Sequence, residues 1–218
     1  MRRELYTAEV ICDGESEVAY FEKLQELINN TEERCMNVKF NTSSSIHISK
    51  TVKSIRGIYG KDWFYIIDKE SASKEHRNRF EAKLKEFKKI KKYDKKGKLL
   101  LGYSNIALEL WLLWHKTNFS KPVTSAEDYW EPIRKAYHLN DIQRFETYKS
   151  DDVFKNRVLT KLTIEDVKDA IRRAENTEIN NSSIETTRNM YGFEYYEINP
   201  SASIHRVVQY ILEQVGLF

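Results

Sequence analysis

Glycine and proline are scarce, at 7 and 3 residues of 218, and no repeat or linker-like stretch interrupts the chain. With 40% hydrophobic and 32% charged residues, this is the composition of a polar, ordered globular protein. The length fits one large domain, or one domain with a substantial appendage. Cysteine is nearly absent. Cys12 and Cys35 lack the C-x-x-C spacing of a zinc site and do not make a disulfide framework. No apolar run reaches 18 residues, and the opening MRRELYTAEVICDG lacks the apolar stretch of a signal peptide. Both absences argue against a membrane partner, and a reducing cytoplasm is the expected location. A G-x-x-x-x-G-K loop is missing too, so any ATP dependence has to come from another protein.

The net charge of +3 hides an asymmetry. The stretch KLKEFKKIKKYDKKGK, residues 83–98, sets nine lysines against Glu86 and Asp94. Its local charge of +7 leaves the rest of the chain at about −4. Clustered lysine gains affinity for phosphates by releasing counterions, so Lys88, Lys89, Lys91 and Lys92 are candidate nucleic-acid contacts. Phe80, Leu84, Phe87 and Ile90 recur at helical spacing, however. The same lysines therefore also describe the wet face of an ordinary amphipathic helix.

Strand and helix signals alternate through the first half. ELYTAEVIC, MNVKF, DWFYIIDKE and KLLLGYS read as strands. SEVAYFEKLQELINN, the stretch from about residue 74 toward Gly97, and IALELWLLWH read as helices, with another expected within residues 43–60. The unbroken apolar run from Trp63 to Ile67 suits a strand buried on both faces. This rhythm predicts an α/β fold, a mostly parallel sheet flanked by helices. From residue 119 the pattern turns helical, in SAEDYWEPIRKAYHL and TIEDVKDAIRRAEN. GFEYYEINPSASIHRVVQYILEQ then reads as a strand, a turn at Asn199-Pro200 and a closing helix. The expected organisation is an α/β core over 1–118, a helical insertion or appendage over 119–183, and a return to the core over 184–218.

Asp13, Glu15 and Glu17 fall where the first strand hands over to a helix. Helix capping is the plain account, because unpaired backbone N–H groups favour acids there. A metal site is the other. Sites in open α/β sheets form beyond the carboxyl ends of the strands, and a second strand also ends in acid, at Asp68 and Glu70. Adjacent parallel strands bring such ends to one rim, about 5 Å apart at the backbone. Carboxylates so crowded repel one another, and a hard divalent cation, Mg²⁺ or Mn²⁺, resolves the conflict. Two acidic strand ends together favour the metal, with its ligands drawn from Asp13, Glu15, Glu17, Asp68 and Glu70. Glu109, set among Leu108, Leu110, Trp111, Leu112 and Leu113, is costly to bury unless paired or coordinating; otherwise its stripe faces water. Lys69 either neutralises a phosphate or points to the opposite face. His115 and His205 read as general acids or phosphate contacts, or as core-edge and surface histidines.

These blocks resemble the RloB-like proteins, which share the Toprim fold of topoisomerases, primases and Toprim nucleases. The resemblance rests on Asp13-Gly14, Glu17 and Tyr20-Phe21, then on Asp68-Lys69-Glu70. It continues through Asn105 with LELWLLWH, including Glu109 and Trp111, and ends at Asn199-Pro200-Ser201 before SIHRVVQYI. Residues 119–185 carry no matching block. Two positions depart from the family: Asp13 stands where it has Glu, and Glu70 where it has Asp, each keeping the carboxylate. The resemblance implies a Toprim nuclease of bacterial anti-phage defence that cleaves DNA or RNA, with tRNA one candidate. It implies Mg²⁺ or Mn²⁺ on Asp13, Glu17, Asp68 and Glu70, with Lys69 and Glu109 also in the catalytic set, and a companion ATPase in some loci. The competing reading is a catalytically inactive Toprim-fold module that binds nucleic acid or protein.

Overall fold

The computed structural model describes residues 3–44, 60–71, 73–90, 97–198 and 200–218. Most of the segment 43–60, where a helix is expected, lies outside the described residues, as do Lys91, Lys92 and Asn199. Four parallel strands form the main sheet: β1 (Glu4–Cys12), β2 (Met36–Ser44), β3 (Asp62–Asp68) and β4 (Leu99–Ser104). Their order is β2-β1-β3-β4, which makes β1 and β3 the adjacent central pair. Parallel neighbours need crossover connections. Helix α1 (Glu15–Asn30) links β1 to β2, and α2 (Lys74–Ile90) lies between β3 and β4 in the chain.

Strand β3 is buried on both faces because its side chains alternate between two apolar layers. Phe64 and Ile66 join one cluster; Trp63, Tyr65 and Ile67 join the other. The second layer is closed by Phe80, Leu84 and Phe87 of α2. The first is closed by Tyr20, Phe21, Leu24 and Ile28 of α1 and by α3 (Glu109–Lys116), whose residues from Glu109 to His115 are all buried.

The stretch 119–183 is helical, with α4 (Trp130–Ala136) and α5 (Ile164–Ser182) joined by short helical turns. Its Tyr129, Ile133, Tyr137, Val167 and Ile171 enter the same buried cluster as Val10 and Phe64. The last helix, α6 (Ile204–Gln214), packs on β4. Ser201 and Ser203 fasten the approach to it. Asn105 N–H donates to Ser201 O at 2.7 Å, and Ser203 N–H donates to Tyr103 O at 2.8 Å.

The strand expected near residue 193 forms differently. It is a two-stranded antiparallel hairpin, β5 (Arg188–Met190) and β6 (Phe193–Tyr195), separate from the main sheet. Tyr191 and Gly192 turn it with φ of 56° and 89°, the left-handed pair that two-residue hairpins require. Phe193 and Tyr195 then pack edge-on against Phe87 and Phe80. The parallel sheet with flanking helices is consistent with a Toprim-like fold.

Candidate active site

Asp13 immediately follows β1 and extends its pairing with β3, donating its N–H to Ile66 O at 3.0 Å. Its carboxylate turns across to the neighbouring strand end. Oδ2 accepts from Asp68 N–H at 3.2 Å and from Lys83 Nζ at 2.5 Å. The N-cap of α1 is Gly14, with no side-chain capping bond, so Asp13 is not a cap. Asp68 closes β3, and its Oδ2 accepts from Leu108 N–H, 3.2 Å away at the entrance to α3.

Glu17 sits in the first turn of α1 and is 5% exposed. Glu109 opens α3 and is fully buried. Its Oε1 accepts from Tyr148 Oη at 3.0 Å and pairs with Lys149 Nζ at 2.5 Å. Glu70 leaves β3 with φ of 66° and donates its N–H to the carbonyl of Ile106, whose φ is 73°. Two side-chain-bearing residues in the left-handed region cost of order 1 kcal/mol or more each, strain that characteristically gathers at functional loops. His76, Arg79 and Lys83 lie 2.9, 3.6 and 4.0 Å from the Glu70 carboxylate. A cleft of about 790 Å³ opens here. Asp13, Glu17, Asp68, Glu70 and Glu86 line it, together with Arg79, Lys83 and Lys149.

Burial, with neighbouring acids adding to it, raises the carboxyl groups of this cluster. Burial raises Asp13 above the ordinary carboxylate range, even with Lys83 opposing. Burial raises Glu17 as well, with Glu109 and Asp13 adding to the effect. Asp68 stands well above its ordinary value because burial is reinforced by the charges of Glu17 and Glu109. Burial alone would lower Lys149, but Glu109, Asp68 and Glu17 outweigh it and raise that ammonium.

A carboxyl whose folded pKa is raised stabilises the fold below its unfolded pKa, about 4, and loses that contribution as pH climbs through the folded value. His115 acts in the opposite sense over part of the same window. Burial lowers it to about 4, so its contribution is lost as pH falls below 6.5. A comparison isolates the carboxyl effect: in EDTA, the melting temperature of Asp68→Asn rises relative to wild type as pH goes from 4.5 toward 7.5 (about neutral working conditions). A constant difference across that range would show that Asp68 is not held in a repelling environment.

Among the described residues, three buried oxygens in the cluster have no hydrogen-bond partner: Asp13 Oδ1, Asp68 Oδ1 and Glu109 Oε2. An orphaned carboxylate oxygen is expensive, and hard oxygens in a region of excess negative charge suit Mg²⁺ or Mn²⁺. The donor chemistry therefore fits such an ion. The present side-chain positions do not enclose one: among the described residues, no group of three His, Cys, Asp or Glu side chains stands arranged to hold a metal. Lys83 and Lys149 instead each take a carboxylate oxygen.

Asp13, Glu17, Asp68 and Glu70 thus share one cleft, with Glu109 beneath it. Lys69 does not join them. Its buried Nζ reaches Glu197 O at 2.5 Å and Asn105 Oδ1 at 3.4 Å, on the side where the hairpin returns. Glu15 is exposed and bonds Ser44 Oγ. Lys88 and Lys89 lie on the exposed end of α2, Lys88 over the Tyr191 ring at 5.8 Å. His115 is a core group, bonded through Nδ1 to Trp111 O at 2.8 Å and through Nε2 to Tyr20 Oη at 3.2 Å. Sequence reasoning missed Lys83 as a cleft residue, because it begins the lysine run, and missed Tyr148 and Lys149 entirely. The one available signal was Glu109, since a buried acid demands a partner from somewhere.

No curated protein and no solved structure matches the chain. A family model described as RloB-like protein does match, over residues 9–211, and the chain belongs to the RloB-like family.

Proposed function

We propose that this protein is a divalent-metal-dependent nuclease whose active site is the cleft at the ends of β1 and β3. The observation that carries the reading is the set of buried, unpartnered carboxylate oxygens on Asp13, Asp68 and Glu109. Mg²⁺ or Mn²⁺, when bound, supplies an activated water and charge neutralisation at phosphorus. Asp13, Glu17, Asp68 and Glu70 would hold it, with Glu109 as a further oxygen donor. The amide of Asp68 fixes Asp13, and the amide of Leu108 fixes Asp68. Arg79 and Lys83 put fixed positive charge on the cleft wall, where a substrate phosphate would lie. Membership of the RloB-like family supports a setting in anti-phage defence, beside a companion ATPase that would supply the missing P-loop.

The substrate class is nucleic acid, DNA or RNA, with tRNA included. Labelled single- and double-stranded panels incubated with Mn²⁺, with Mg²⁺ and with EDTA test the activity; cleavage that persists in EDTA rejects it. Lys88 and Lys89 stand exposed in the last turn of α2, which also carries Lys83. Replacing both with Gln should flatten the dependence of log affinity on log salt by up to about two units, since each phosphate contact contributes about 0.7–0.9. Identical slopes would make these lysines an ordinary solvated helix face. A second reading, a binding module without catalysis, draws on the two lysines already seated on Asp13 and Glu109. Tight binding with no cleavage of any panel member under either metal would select it.

A further inference from the structure

Among the described residues, the cleft lining carries five acids and three basic side chains, two more acids than bases before buried Glu109 is counted. Two of the cations, Arg79 and Lys83, come from α2. The third, Lys149, comes from the helical stretch after residue 119. Its ammonium sits 2.5 Å from Glu109 Oε1 and lies 5.5 and 5.9 Å from the ring centres of Phe145 and Tyr148. Tyr148 Oη bonds the same carboxylate oxygen at 3.0 Å. The other oxygen of Glu109 is buried and unpartnered, as is one oxygen of Asp68. Around Glu17, Asp68 and Glu109, a single ammonium therefore faces three carboxyl groups, with more oxygen donors than it can satisfy. The lysine side chain is one-third exposed, while its partner is fully enclosed. A lysine is a point charge on a flexible stem, and this one already lines the cleft.

We propose that Lys149 is a resident counter-ion, which holds the buried carboxylates while no metal is present and is displaced from Glu109 when a divalent cation enters. This rests on the metal-dependent reading of the cleft. The stretch 119–183 then has a role in the site: it delivers the charge that keeps the metal-free cluster together. Once released, the ammonium remains at the cleft wall, where it adds to the positive surface offered to phosphate.

Amine acylation of the full chain, quantified by mass spectrometry at each lysine, tests displacement directly. Saturating Mn²⁺ should raise acylation of Lys149 about fivefold over EDTA, because release from Glu109 exposes the side chain and leaves more of it as the neutral amine that reacts. Lys155, exposed and paired with Asp151 away from the cleft, should not change. Mn²⁺ binding seen by calorimetry with unchanged Lys149 reactivity would overturn the proposal and leave the metal reading standing. Removing the charge gives a second measure. Folded Lys149→Met should bind Mn²⁺ about tenfold more tightly, the effect of one fewer nearby positive charge, while Lys149→Arg should bind as wild type does. Unchanged or weaker affinity in Lys149→Met would also overturn it. Absence of any Mn²⁺ binding to the wild type would overturn the metal reading, and this proposal with it.

Discussion

Asp68→Ala should reduce metal-dependent cleavage roughly a thousandfold or more, equivalent to about 4 kcal/mol of transition-state stabilisation. Asp68 is the acid where three constraints meet. It terminates the central strand β3, its Oδ2 is fixed by the Leu108 amide, and its Oδ1 is enclosed without a partner. Removing the side chain would remove a proposed ligand, and Glu17 and Glu109 approach from different helices. The fold should survive. One hydrogen bond of about 1 kcal/mol is lost, but the repulsion among Asp68, Glu17 and Glu109 is relieved. The melting temperature in EDTA should therefore be unchanged or higher. A large drop in that temperature would mean that Asp68 stabilises the metal-free fold, and that lost cleavage could not be assigned to the chemistry.

A second strong effect is expected from a single methyl group. A Cβ added at Gly14 would lie 2.9 Å from Glu17 Oε2 and nowhere near the backbone of another element. Gly14 has φ of −139° and ψ of 174°, extended backbone that alanine adopts without strain. Glycine is thus required for the close approach of the Glu17 carboxylate. Gly14→Ala should leave stability within about 1 kcal/mol of wild type, since a flexible side-chain end can move aside. It should nonetheless cost about 10- to 100-fold in metal affinity, the usual penalty for disturbing the support of a ligand. Mn²⁺ titration beside a thermal melt separates the two. Affinity equal to wild type would remove Glu17 from the ligand set.

The legible parts of this protein are those where local chemistry and tertiary role agree. ELYTAEVIC forms β1 over its whole length, and Trp63–Ile67 is buried on both faces, because β-favouring residues there also fill the two central layers. The convergence of Asp13 and Asp68 was legible because parallel strand ends share a rim. Whether Asp13 capped a helix was not: only the position of its Oδ2, on the Asp68 amide and Lys83, decides that. Lys69 was ambiguous for a related reason. Successive residues at a strand exit face opposite ways, and the hairpin and following loop that capture its ammonium lie more than a hundred positions away in the chain. The hairpin itself was hidden because Tyr191-Gly192 does not carry the usual Asn-Gly signature of such turns. Lys149 was least visible of all. Its role follows from a buried acid 40 residues earlier, and no periodicity links the two.

The central claim is that the carboxylates at the ends of β1 and β3 bind a divalent cation. The most direct test is a calorimetric Mn²⁺ titration of wild type beside Asp68→Asn, which keeps the shape and the acceptor for Leu108 but removes the charge. Saturable binding by wild type that disappears in Asp68→Asn is the predicted result. Equal binding by the two proteins, or no binding by wild type at millimolar Mn²⁺, would contradict it.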